Sequence, residues 1–127
     1  MGNSADFIVH VLELMRPTAG PTVRARAMFG GHGLYADGII VGIVIDDVVY
    51  LKTDDANRAE FAAQGLLPYV YATRHGDSFA MSYHRVPDEA LDGAPAMAGW
   101  LHSAMGAARR SAARKPSKRA PARAAKC

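Results

Sequence analysis

The chain has 127 residues, half of them apolar, with a formal net charge of +3 at pH 7. That length suits one compact core and excludes two ordinary domains. A single cysteine, Cys127, excludes an internal disulfide or a cysteine-held metal, and the lack of a secretory leader or of ~20 consecutive apolar residues makes a soluble, cytoplasmic protein the expectation.

Asn3 to Arg16 places Phe7, Ile8, Val11, Leu12 and Met15 at helical spacing, with Asn3 or Ser4 to cap the helix and Pro17 to end it. A loop holding Gly20 and Pro21 follows. Ala27 to Ala36 then leads through Asp37-Gly38 into the β-branched run Ile39 to Ile45, a pattern that predicts a hairpin. Asp46-Asp47 sets off Val48 to Lys52 as a third antiparallel strand. Asp54 to Gln64 is rich in alanine, opens on a carboxylate and stops at Gly65, which predicts a second helix. Pro68 to Ala72 and Ser78 to His84 are strand-like and joined through the turn residues His75, Gly76 and Asp77. Pro87 and Pro95 suit first helical turns, after which Met97, Trp100, Leu101, Ala104, Met105 and Ala108 share one helical face. The expected fold is α+β: a five-stranded antiparallel sheet in the order α-βββ-α-ββ-α over residues 1–106, then a basic segment, 107–127.

Charge divides along the same line. Residues 1–106 hold seven basic side chains against all twelve acidic ones, a net of −5. Arg109, Arg110, Arg114, Lys115, Lys118, Arg119, Arg123 and Lys126 follow without one carboxylate. This segment has nothing bulkier than alanine to bury, and Pro116 and Pro121 interrupt any helix through Arg114, so disorder is expected beyond about Pro116. Such a run attracts polyanions, and without Trp, Phe or Leu beside the charges it suits nucleic acid better than a membrane. These eight cations are the expected nucleic-acid contacts; a solvated tail that aids solubility is the plainer alternative.

Gly31-His32-Gly33-Leu34-Tyr35-Ala36 satisfies the G-x-G-x-x-G/A pattern of dinucleotide-binding loops. A working fingerprint needs a helix after the glycines, and here a β-branched run follows. Gly30, Gly31 and Gly33 are therefore expected in a twisted or bulged strand where another backbone or a ring comes close. Around them, Arg26-Ala-Met-Phe-Gly-Gly-His-Gly-Leu-Tyr35, Asp37-Gly38, Asp46-Asp47, Tyr50-Leu-Lys52, Pro68-Tyr69, Tyr83 and Val86-Pro87 resemble, in order and spacing, the N-terminal domain of the TfoX/Sxy family. The resemblance covers nearly all of residues 5 to 106. It implies a small α+β domain with a five-stranded antiparallel sheet packed by helices. It also implies a role in transcription, since full-length members regulate natural competence together with the cyclic-AMP receptor protein. Those members continue into a helical C-terminal domain, where this sequence has the basic segment.

Other candidates reduce to structure. His75, Asp77 and Ser78 have the residue types of a hydrolase triad, but neighbours in one turn cannot converge on a substrate as separated elements do. Asp46-Asp47 and Asp54-Asp55 fall where turns and helix starts favour carboxylates. His10, His32, His75, His84 and His102 show no metal-site spacing, although His32 lies in the glycine stretch and could line a pocket. Tyr35, Tyr50, Tyr69, Tyr71 and Tyr83 fall on strands, with only Lys52 and Arg85 interleaved in an acidic domain. Core or interface packing is expected for them, not the stacking of RNA bases. No cofactor and no catalysis are expected, because no nucleophile, base and orienting group can be named together. The reading is a non-enzymatic regulatory module whose folded domain recognises a protein partner, with transcription machinery as a candidate, while the tail holds it near DNA. An open sheet face or edge also invites a second copy to pair. The rival reading is a small-molecule or catalytic domain with a pocket near Met28 to Tyr35.

Overall fold

The computed structural model describes residues 3–28, 30–72, 75–76 and 78–114, without the side chains of Ala72 and of residues 78–80. Helix α1 spans Ala5–Ala19, its first turn capped by the Ser4 hydroxyl, which accepts the Phe7 N–H at 3.0 Å. Pro17 lies inside α1 rather than ending it. In the last turn its missing N–H forfeits one bond, and the Gly20 N–H still closes the helix on the Arg16 carbonyl.

Among the described residues six strands follow, not five: β1 Arg24–Met28, β2 Gly31–Ala36, β3 Ile39–Ile45, β4 Val48–Lys52, β5 Pro68–Ala72 and β6 Ser78–Arg85. The additional strand is β1. Its sequence, Arg-Ala-Arg-Ala-Met, alternates cations with alanine and carries no β-branched residue, so it reads as loop until β2 is seen to pair with it. All neighbouring strands are antiparallel, in the order β1-β2-β3-β4-β6-β5. Strands β1 to β4 form a meander of hairpins. The β5–β6 hairpin joins it along one seam, Tyr50↔Arg85, Leu51↔His84 and Lys52↔Tyr83.

Helix α2 is a short piece, Arg58–Ala62, preceded by turns over part of the expected span. A 3-10 turn, Asp88–Leu91, follows β6, and helix α3 runs from Ala94 to Arg114. The helix thus extends into the segment set apart by its charge, and Ala107 and Ala108 are buried.

Helices α1 and α3 pack against each other and cover one face of the sheet. Leu34, Val41, Val44, Val49 and Leu51 meet Val11, Met15, Met97 and Leu101 in that layer. Trp100 is half-buried at its edge, its ring 4.9 Å from the buried Phe61. From Gly31 on the glycine stretch is strand, and β3, not a helix, follows it; Gly30 instead sits in a turn at positive φ, which breaks the strand expected over Ala27 to Ala36 between β1 and β2. A Cβ on Gly31 would run into the Val44 carbonyl, and one on Gly33 would lie 3.0 Å from Met28 Sδ and from the Tyr35 ring. The β2–β3 register also shifts between Leu34 and Tyr35. Close approach is what Gly31 and Gly33 serve.

Candidate interaction face

Among the described residues no helix packs against the other face of the sheet, and register decides what that face displays. Residues directly opposite in an antiparallel pair point to the same side. Arg24 and Arg26 of β1 therefore share a side with Tyr35 of β2. Ile43 pairs with Tyr50, Tyr50 with Arg85 and Lys52 with Tyr83 on that same side. At its centre is an apolar groove of about 250 Å³. Met28, Ile40, Ile43 and Ile45 form one wall, and Tyr69, Tyr71, Met81 and Tyr83 the other. Tyr71 is 47% and Met81 39% exposed, whereas Tyr83 retains only 8%.

Cations sit on the rings. The Arg26 guanidinium lies 5.7 Å from the Tyr35 centroid and the Lys52 ammonium 4.9 Å from that of Tyr83. Tyr50 and Tyr69 meet edge to face at 5.2 Å. Burial pushes the hydroxyls of Tyr50 and Tyr83 above the usual tyrosine range, so both stay protonated near neutral pH. The six strands contain Arg24, Arg26, Lys52 and Arg85 but no aspartate or glutamate. An acidic domain thus presents a cation-rimmed sheet face, its carboxylates confined to helices, turns and loops. Arg85 pairs with the Asp88 carboxylate at 3.3 Å.

Of the eight cations expected to meet nucleic acid, Arg109, Arg110 and Arg114 lie exposed on α3. Lys115, Lys118, Arg119, Arg123 and Lys126 lie outside the described residues. Arg110 is engaged: its Nε and Nη2 donate to the two Asp54 carboxylate oxygens at 2.6 and 3.0 Å. That guanidinium, with the Ala56 and Asn57 amides, lowers the Asp54 carboxyl from 3.8 to about 2 despite some desolvation.

The sequence-family model for the TfoX N-terminal domain matches residues 13–108. The chain belongs to the TfoX N-terminal domain family. No curated protein matches the sequence. The matched TfoX span holds all six strands and ends at Ala108, where the burial of α3 also ends.

Within this TfoX domain the other candidates serve structure. His32 points away from the groove, and its Nδ1 accepts from the Asn3 amide at 2.9 Å. Asn3 also donates to the Val44 carbonyl and accepts from the Asp47 N–H, which ties the start of α1 to the β3–β4 turn. Asp46 and Asp47 occupy that turn at positive φ, and Asp47 Oδ1 accepts the Ser4 N–H at 2.8 Å. His84 is buried, with Nδ1 2.9 Å from the Thr53 hydroxyl. Burial and the nearby Arg58 charge lower its pKa, so the neutral ring is favoured. Asn57 accepts the Asp54 N–H and donates to Lys52 and to Ser103, joining α2 to α3. Asp77 and the Ser78 side chain lie outside the described residues. Among the described residues no three His, Cys, Asp or Glu side chains form a metal-sized cluster, and no helix is long and apolar enough to cross a membrane.

Sequence reasoning missed the sheet face itself. Its signal was present in the alternation of β1, Arg24, Arg26 and Met28 on one side with Ala25 and Ala27 on the other.

Proposed function

We propose that this TfoX-type domain is a non-enzymatic regulatory module that works at DNA. Its open sheet face docks a protein partner, and its basic C-terminal segment contacts the phosphate backbone. The observation that carries this reading is at the end of α3. Burial stops at Ala108, and every charged side chain beyond it is a cation, with only Arg110 paired to the domain in the described part. Seven cations then remain to release counterions from a duplex. They do so without reading bases, because phosphate contacts carry no sequence information.

A salt titration of duplex binding tests this. The full chain is compared with one ending at Arg114, which keeps the whole of α3. If five to seven phosphates are neutralised, the full chain gives a slope of about −4 to −6 in log affinity against log salt, varying little with DNA sequence. The shortened chain, left with Arg109 and Arg114, falls to about −2 or less. Equal slopes, or a full-chain slope near zero, would remove the DNA-associated role.

A small-molecule reading is favoured by the groove, which has Met28 in its wall and a volume that would admit a compact apolar ligand. Saturable binding of a nucleotide or metabolite by the chain ending at Arg114 would establish it in place of the docking reading.

A further inference from the structure

We propose that the open sheet face docks an apolar segment flanked by acidic residues, supplied by another protein. The proposal rests on the reading of the domain as a docking module and names the chemistry of what it docks.

Charge complementarity selects the occupant. The groove offers aliphatic and thioether walls at Met28, Ile43, Ile45 and Met81. Its surroundings hold Arg24, Arg26, Lys52 over the Tyr83 ring and Arg85 in its pair with Asp88, with no carboxylate on the strands themselves. A segment that buries leucine or phenylalanine side chains there brings the carboxylates that flank them toward guanidinium and ammonium groups at the rim. A second copy of this chain would oppose four cations with four cations. Residues 115–127 carry five more cations and nothing bulky and apolar to seat in the groove. Single-stranded nucleic acid satisfies the charge but needs accessible ring faces on which to stack. Here Arg26 lies over Tyr35, Lys52 lies over Tyr83, and Tyr50 and Tyr69 are turned against each other, which leaves Tyr71, 47% exposed, as a single platform where a strand of bases uses successive ones. The aliphatic floor offers bases nothing that π-stacking uses. An acidic, apolar peptide satisfies both the charge and the walls.

The test is fluorescence anisotropy with the full chain and four labelled probes. One is a short peptide with a Leu and Phe core flanked on both sides by Asp and Glu. A second has lysine, and a third serine, in place of the acids; the fourth is an oligothymidylate of matched length. The acidic peptide is expected to bind and the lysine peptide to fail. Combined Arg26→Glu and Lys52→Glu changes should weaken acidic-peptide binding roughly tenfold or more, as two lost exposed ion pairs and two new repulsions require. Met81→Asp, an exposed position in the groove wall, should weaken it similarly. Arg26→Lys should retain most of the affinity, and Val9→Asp on α1, outside this face, should leave it unchanged.

Acidic-peptide binding that survives both the rim and the groove changes belongs to the C-terminal cations and overturns the proposal. So does preferential oligothymidylate binding that the rim changes abolish. Equal binding of the serine and acidic peptides, lost only in Met81→Asp, would keep the docking module and reject the acidic partner. No peptide binding at all would reject both. The DNA salt titration is independent of every one of these outcomes.

Discussion

Asp54 and Arg110 are 56 residues apart, and their pairing decides both how α3 is held and which cations remain for a polyanion. The carboxyl is lowered in the folded chain from 3.8 to about 2. The stability it contributes is therefore fully present above the unfolded value, near pH 4, and is lost as pH falls through about 2. Arg110→Gln should be less stable than the parent at pH 6, with the gap narrowing steadily between pH 4 and pH 2. Thermal melts across that range check this, and a gap independent of pH would mean the pair contributes only packing. Nothing local in the sequence announces this contact: Asp54 reads as a helix-start carboxylate, whereas α2 starts only at Arg58 and Asp54 holds the turn before it, accepting the Ala56 and Asn57 amides. Gly31 and Gly33 were legible, because a glycine inside a strand pattern has few other uses than close approach. His32 was not, since a histidine in a glycine stretch gives no sign of which sheet face it takes until register is known.

At the scale of elements, the strands with branched apolar side chains could be read, and the one without them could not. β3 and β4 announce themselves; β1 is an edge strand whose inward positions are alanines and whose outward ones are cations, the composition that keeps an edge from pairing promiscuously. With β1 unread the tyrosines look poorly supplied with cations, because Arg24 and Arg26 fall outside the expected strands. Helix α3 was legible through Ala108 by periodicity, but its composition changes before its structure does. A chain ending at Gly106 would remove the buried Ala107 and Ala108 along with the Arg110 pair. The two methyl groups alone contribute about 1.5 kcal/mol, so its Tm should fall by roughly 5–10 °C. The chain ending at Arg114 should melt within about 2 °C of the full chain, as expected when the removed sequence has nothing bulkier than alanine to bury. A large loss in the Arg114 chain would show that residues beyond it support the fold.

Across the whole molecule, the sheet consists of two blocks, the β1–β4 meander and the β5–β6 hairpin, joined along the short seam between β4 and β6. The groove straddles that seam, with Met28 and the isoleucines on one block and Tyr69, Tyr71 and Met81 on the other. Whatever fills it clamps the blocks together and opposes any excursion in which the hairpin swings away as a unit. The Thr53 amide, which donates to the Ser82 carbonyl, and the Val86 amide, which donates to Val49, report such openings by hydrogen exchange. With the acidic peptide at about 100 times its Kd, both amides should exchange roughly 100-fold more slowly if opening releases the peptide. Amides at the β1–β2 edge, which no occupant bridges to the hairpin, should change far less. A ligand for this face would then act on the protein's motions by linking two halves that folding left lightly joined.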